Sequence, residues 1–451
     1  MVRCLVLGLP LLLAFSVPES QDDQPSVVTY NGPTGKDYDD SNYVKADNRV
    51  YAMKLEGEDV AAHPSYAVQS PSGNLLLSGD SFGDGSGRGW ANLFDASTKF
   101  KWSWHSQHTD FDAVLGAAVL PDESVLLGGT RSIAGRWELL LVAVGTGGKE
   151  KWSTTLALKP PTSSCTDCWA VTYWVDADPE KELLIFGGVV DHQPGADTIA
   201  WKSGGGQPDT GGVPFLAAIP FSKLKSAPTA GDIQTVHYFD KTPGYTTVVS
   251  LRTEPGQGVV ALLPLNPFGG AAARVTYDQS GNFQEEWVKP LSLQNQITDI
   301  AIVKDNATPI AYVVSATVNP GAKIEAVAVD GSSSWVRSYD IGTIYPPAKT
   351  SKGRKFWCQE CWSIAARSED IMLSCGVAEL KAGDTNCDDG LWRSLLVTVP
   401  FQQPANASYQ LFHSDPDENF AVEYASFGAN GEMICAIDAD IGGSVVRILP
   451  E

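Results

Sequence analysis

Six histidines occur in the 451 residues, and two of them share one short stretch, residues 104–112 (WHSQHTDFD), where His105 and His108 stand beside Asp110 and Asp112. Imidazole with carboxylate is a donor set for a transition metal and also a pair for acid–base work. The spacing sets no geometry, so a solvated polar loop is the competing reading. Residues 384–390 (DTNCDDG) alternate Asp384, Asn386 and Asp388 as a calcium loop begins. The glycine falls one place late and Leu395 stands where the closing glutamate belongs, so the full calcium-loop pattern fails. Asp80 opens a glycine-rich stretch, residues 80–87 (DSFGDGSG), that reads as a flexible loop. Residues 349–355 (KTSKGRK) are a cationic run on an acidic chain, suited to an anionic ligand or simply to water.

Cysteine gives the most specific local signal. Cys-x-x-Cys-Trp occurs twice, at Cys165, Cys168 and Trp169 and at Cys358, Cys361 and Trp362. A local disulfide within each pair would brace a loop. A thioredoxin-like redox pair needs a helix N-terminus to lower a thiol pKa, and no helix is predicted there. A four-cysteine zinc site has the right spacing within each half but requires the halves to meet. Cys375 and Cys387 could close a short loop and leave Cys435 unpaired; Cys375 with Cys435 is the rival pairing. No Gly-x-Ser-x-Gly elbow, phosphate-cradling Gly-Lys-Ser/Thr loop or His-Glu-x-x-His is present.

These residues hang on a repeat. Seven apolar runs bracketed by Gly, Asp or Ser recur at residues 74–80, 124–130, 182–190, 258–264, 310–316, 371–377 and 432–438. Such self-similarity marks a closed repeat architecture. Another strand candidate precedes each run, at residues 66–69, 117–120, 169–175, 246–251, 299–303, 362–366 and 422–426. A third strand, a tight turn and a fourth strand ending in Trp follow in the clearest copies, at Trp102, Trp152, Trp287 and Trp335. A helical period is confined to residues 221–227. The chain therefore reads as all-β: a single β-propeller of seven four-stranded antiparallel blades, with six or eight as alternatives. A spare strand at residues 50–55 (VYAMKL) is predicted to complete the last blade. In such a blade the second-to-third and blade-to-blade connections share one face, which gathers the long irregular segments 80–89, 190–212, 341–356 and 379–390. Binding residues usually occupy such loops. The opposite face reads as short turns apart from residues 220–235.

The progression Leu, Asp, Thr or Ser-Gly, then Trp, as in residues 92–102 and 141–152, resembles the repeat of quinoprotein-type propellers. The resemblance implies that the terminal Trp packs between neighbouring blades. Some members of that superfamily hold pyrroloquinoline quinone and Ca²⁺ and oxidise alcohols or sugars, and others bind proteins without a cofactor. The alcohol-oxidising type carries two adjacent cysteines above the quinone, and this chain has no such pair. No cofactor is predicted, with Ca²⁺ or the quinone as the alternative.

Charge and termini narrow the partners. A formal net charge of -21 disfavours nucleic acid, which needs a cationic surface to release counterions, and it disfavours anionic lipid. Arg3, an apolar run at residues 5–15 and small Ser16 and Ser20 read as a cleaved secretory signal over residues 1–20. An extension over 21–48 and a propeller over 49–451 follow, with no membrane span expected in the mature chain. Asn306-Ala307-Thr308 and Asn406-Ala407-Ser408 are glycan acceptor triplets in turn-like sequence. The function expected is a secreted module that binds a protein or glycan through its loop-rich face, where Asp80, His105, His108, Asp110, Asp112, Asp384 and Asp388 are the candidate residues. A quinone- or metal-dependent oxidoreductase or carbohydrate-active enzyme on the same scaffold is the alternative.

Overall fold

The computed structural model describes residues 50–54, 61–70, 72–83, 86–96, 100–108, 112–160, 169–192, 212–240, 244–265, 268–306, 308–317, 321–344, 355–368, 370–381, 383–387, 390–412, 419–428, 430–439 and 444–448. The proposed signal and the whole of the extension lie outside them, as do Cys165, Cys168, Asp110 and Asp388.

The strands pair into four-stranded antiparallel sheets, each in simple up-and-down order. The first sheet holds β2 (Ala61–Gln69), β3 (Leu75–Gly83), β4 (Ser86–Phe94) and β5 (Phe100–His105). The second holds β6 (Asp112–Val119), β7 (Val125–Ile133), β8 (Arg136–Val144) and β9 (Glu150–Leu156). The third holds β10 (Trp169–Asp178), β11 (Leu183–His192), β12 (Val213–Pro220) and β13 (Thr235–Tyr238). The fourth holds β14 (Ser250–Glu254), β15 (Gly258–Pro264), β16 (Gly270–Tyr277) and β17 (Phe283–Pro290). The fifth holds β18 (Gln296–Asp305), β19 (Thr308–Thr317), β20 (Ala322–Ala328) and β21 (Ser333–Tyr339). The sixth holds β22 (Lys355–Arg367), β23 (Asp370–Leu380), β24 (Leu391–Pro400) and β25 (Ser408–Phe412). The last holds β26 (Phe420–Phe427), β27 (Met433–Ala439), β28 (Ser444–Ile448) and, from the other end of the chain, β1 (Val50–Lys54). Val50 lies opposite Ile448 and Lys54 opposite Ser444, so the termini share one sheet.

The sheets are the blades of a β-propeller. The first strand of each contacts the sheet before it, and β26 and β27 contact β2. Each blade is thus covered on both faces. This is why its second strand reads as an unbroken apolar run rather than an alternation: Leu75, Leu76 and Leu77 are all fully buried, as are Val259, Val260, Ala261 and Leu262. Glycine allows the closest approach between blades. A Cβ on Gly116 would lie 2.8 Å from the Val175 nitrogen, and one on Gly128 only 2.1 Å from a Val175 methyl group.

The blade-ending tryptophans take the role implied by the resemblance. Trp102 packs under the turn of the next blade, where a Cβ on Gly148 would come within 2.6 Å of the Trp102 Cβ. Trp152 Nε1 donates to the Leu224 carbonyl at 2.9 Å, and Trp287 Nε1 donates to the Val329 carbonyl at 3.1 Å. Trp335 reaches Phe401 of the next blade at a 6.0 Å centroid distance. Each large aromatic fills the wedge between two blades while its N–H has a carbonyl within reach in two of the four cases.

Several expectations change. The stretch 80–87 is no open loop: Asp80 pairs with Gly89, Ser81 with Arg88 and Gly83 with Ser86, so the hairpin runs to its tip. Besides a 3-10 turn at Phe221–Lys223, a one-turn helix α1 occupies Ile341–Ile344. The second Cys-x-x-Cys lies inside β22 rather than ahead of it, and its cysteines are not bonded to each other. Residues three apart on a strand are about 10 Å apart and face opposite ways, beyond the reach of a disulfide. Cys361 instead bonds its cross-strand partner Cys375, and Cys358 bonds Cys387 in the β23–β24 connection. The expected Cys375–Cys387 loop closure and its Cys375–Cys435 rival are both replaced. Cys435 is free and buried, and burial raises its thiol pKa well above the usual value.

Candidate functional site

Each blade's innermost strand lines the axis, and in several of them a one-residue bulge sets which side chain points at it. Register shifts fall between Pro64 and Tyr66, Thr172 and Trp174, Ile297 and Asp299, and Val422 and Tyr424. The residue after each shift reaches the centre. Tyr66 of the first blade meets Trp174 of the third at 5.4 Å edge to face, and meets Tyr424 of the last at 4.8 Å. Trp174 and Tyr424 are 5.9 Å apart. The first and last sheets are neighbours in the ring, but the third can touch either of them in this way only across the axis.

A polar belt continues the aromatic group. The Arg252 guanidinium lies 4.3 Å over the Trp174 ring, a cation–π contact. Its Nη2 donates to both oxygens of Asp299, at 3.0 and 3.1 Å. Ser250 Oγ donates to the same carboxylate at 2.5 Å, and the Ile364 N–H donates at 3.0 Å. One carboxylate on β18 thereby joins β14 and β22. Asp176 on β10 accepts from the Thr253 N–H at 2.9 Å and hydroxyl at 3.0 Å, adding the third blade to the belt. Burial raises the Tyr66 and Tyr424 pKa values well above normal; Asp176 and Asp299 add to the rise and Arg252 opposes it. Burial likewise raises Asp176 against the pull of its hydrogen bonds. For Arg252 burial works the other way, yet Asp299 and the other anionic groups around it leave the pKa raised.

The resemblance implies Ca²⁺ beside a quinone in some propellers, and the axial Asp299 carboxylate does not fit the ion. Ca²⁺ needs several free oxygen ligands. Both oxygens of Asp299 are held by a guanidinium, a hydroxyl and a backbone N–H, and the carboxylate is already neutralised. Among the described residues no group of three or more His, Cys, Asp or Glu is placed to hold a metal ion.

The candidates from the sequence separate. Asp112 is fully buried at the start of β6, where it accepts from the Gly89 N–H at 2.7 Å, from Ser106 Oγ and from Arg131 Nη2 at 3.2 Å. It is a brace between the first two blades. Asp80 is buried on β3, and His105 is exposed at the end of β5. His108 is half-buried; its N–H donates to Ser106 Oγ at 3.2 Å, and its Nδ1 has no hydrogen-bond partner. These four lie around the boundary of the first two blades. Asp384 sits apart, in the β23–β24 connection of the sixth blade. The axial group of Tyr66, Trp174, Arg252, Asp299 and Tyr424 was missed. Its signal is a shared offset in successive inner strands, legible only after the repeats are aligned through their bulges.

The two faces differ in chemistry. On one, a five-residue turn recurs in which the first N–H donates to the fifth carbonyl: Ser70 to Asn74, Leu120 to Ser124, Gly145 to Lys149, Asp278 to Asn282, Ala328 to Ser332 and Gly428 to Glu432. Neighbouring turns are stitched together, Asn74 Nδ2 donating to Glu123 at 3.1 Å and Gln69 Nε2 to Glu432 at 2.9 Å. The other face carries the second-to-third and blade-to-blade connections. Ile133 (38% exposed) and Phe268 (56%) stand at two of their tips. Trp137 and Trp169 stack there at 4.7 Å and are half-buried.

No family model matches the chain, and no curated protein matches it. Among solved structures the chain is similar to YCF48 bound to a D1 peptide, at 10% identity over 90% of this chain and 96% of that one, with a TM-score of 0.46. It is similar to Sqt1 of Chaetomium thermophilum at 12% identity, over 87% and 96% of the two chains, with a TM-score of 0.44. Prolyl oligopeptidase B of Galerina marginata, bound to a 25mer macrocyclization substrate, matches at 10% identity and a TM-score of 0.41. There the match covers 84% of this chain but only 46% of the oligopeptidase.

Proposed function

We propose that the protein is a secreted β-propeller module that captures a protein or glycan on the face bearing Ile133, Phe268 and the Trp137–Trp169 stack. The observation that carries this reading is the placement of exposed apolar side chains. Among the described residues, three large hydrophobic side chains are exposed, and two of them cap connections on that one face. The third, Val336, lies on the outer strand β21. Apolar and aromatic groups on a rigid rim suit stacking against a sugar or a peptide side chain. On the opposite face the turns are bonded to themselves and to each other. The axial residues also bond one another, which suits a rigid hub rather than a reactive centre, and the reading needs no resident cofactor.

Seven sheets in one closed ring make seven blades, supported by the run of contacts from each sheet to the next and from the last to the first. Residues 1–20 are the leader, 21–48 an extension and 49–451 the propeller. The bonds Cys358–Cys387 and Cys361–Cys375 support secretion, because disulfides persist in oxidising compartments. His105, His108 and Asp384 belong to the same face as secondary contacts.

The test is binding to a glycan array and to a displayed peptide library. Ile133→Ser with Phe268→Ser should change stability by less than about 1 kcal/mol and weaken any selected ligand at least tenfold, about 1.4 kcal/mol. Val336→Ser should leave capture unchanged. Undiminished binding by the double variant would move the site off this face.

A further inference from the structure

The chain contains two Asn-x-Ser/Thr triplets, and the structure puts both on the same face. Asn306 is exposed at the turn from β18 to β19, with a left-handed φ of 46°. Its Nδ2 makes one hydrogen bond, a local one to Asp305 at 3.0 Å. Thr308 follows, exposed, as the first residue of β19. Asn406 is exposed in the turn from β24 to β25, closed by its own N–H donating to the Gln403 carbonyl at 2.9 Å. Its Nδ2 donates to the Gln403 side chain at 2.7 Å, again within the turn, and Ser408 is exposed at the start of β25. First-to-second and third-to-fourth turns emerge opposite the second-to-third connections, so both acceptors lie on the face away from Ile133 and Phe268. They belong to neighbouring blades, the fifth and the sixth.

We infer that Asn306 and Asn406 carry N-linked oligosaccharides, and that these make the turn face a sugar-covered, non-binding side. The inference rests on the secretion reading above and deepens the choice of face. The donor is an oligosaccharide carried on a lipid pyrophosphate. Asn Nδ2 forms the new bond to sugar C1 as the bond from C1 to the pyrophosphate oxygen breaks. The lipid pyrophosphate leaves, and the amide gives up one proton. Each amide bonds only within its own turn, so modification removes no contact between blades. A bulky, hydrated chain at both sites would screen the fifth and sixth blades from a macromolecular partner on that side and leave the opposite rim open.

The full chain expressed in cultured eukaryotic cells provides the test. Peptide mass spectrometry after enzymatic glycan release in heavy-oxygen water reads each site as a labelled aspartate. Both sites are expected to be labelled in the secreted protein. Thr308→Ala and Ser408→Ala, which leave the asparagines in place, should each remove one glycan's worth of gel mobility. Secreted protein with either asparagine unmodified overturns the inference, whatever the ligand proves to be. Protein retained in the cytosol and unmodified overturns it together with the secretion reading, but leaves the assignment of the binding face standing. Binding lost from the secreted protein after native glycan removal would overturn the non-binding role of the sugar.

Discussion

Glu423 is the bulge residue of β26, half-buried, with Tyr424 beside it turned to the axis. Burial, reinforced by Asp438 and Glu360, raises its carboxyl pKa well above 4.5. The folded protein therefore keeps a proton that the unfolded chain has already released. Stability is greatest below the unfolded pKa and falls as pH rises from there toward the folded value. Glu423→Gln removes the titration at nearly constant shape. The variant should be the more stable protein at about pH 7, with the gap closing near pH 4, by urea denaturation at the two pH values. A gap that did not change with pH would assign Glu423 a hydrogen bond instead of a cost. At the same scale, residue type misled the reading of residues 104–112. Histidines and aspartates look alike in a ligand set and in a brace, and burial, which sequence does not show, makes Asp112 the latter.

The blade-ending tryptophan is the element-scale joint. Trp102, only 6% exposed, fills a wedge to which both the first and the second blades contribute. Trp102→Ala should cost about 3–5 kcal/mol, with Trp102→Phe recovering part of it, by denaturant unfolding. A loss below about 1 kcal/mol would show that the blades close over the gap. Such joints were legible because the chain repeats them: an apolar run sandwiched on both faces, a turn rich in Asp, Gly and Ser, then an indole. The axial group was not legible for the opposite reason. Tyr66, Trp174, Asp299 and Tyr424 mix three residue types at one position, and an inserted residue in each strand reverses the inward-outward parity before they are reached. The cysteines fell between these cases. Their number was plain, but pairing depends on cross-strand register, and Cys361 opposite Cys375 emerges only once β22 and β23 are aligned.

At the scale of the whole molecule, the closing contact is the pairing of β1 with β28. A chain beginning at residue 55 would keep three strands in its last sheet and expose β28 as an unpaired edge. It should melt at lower temperature and associate, by calorimetry and light scattering, and a peptide spanning residues 48–56 should reverse both. A monomer of undiminished stability would show that the clasp contributes little.

The same pairing has a consequence in time. β1 leaves the ribosome before any other strand of the propeller, and β28, its partner, leaves last. Throughout synthesis the earliest hydrogen-bonding edge must wait while six complete sheets are made, and the contact that ends folding has nearly the largest sequence separation the chain allows. Each new sheet can fold against the one before it, but the ring cannot close until β28 has been made. A nascent chain of this kind carries an open edge from its first propeller strand to its last, and its demand for protection ends when β28 pairs.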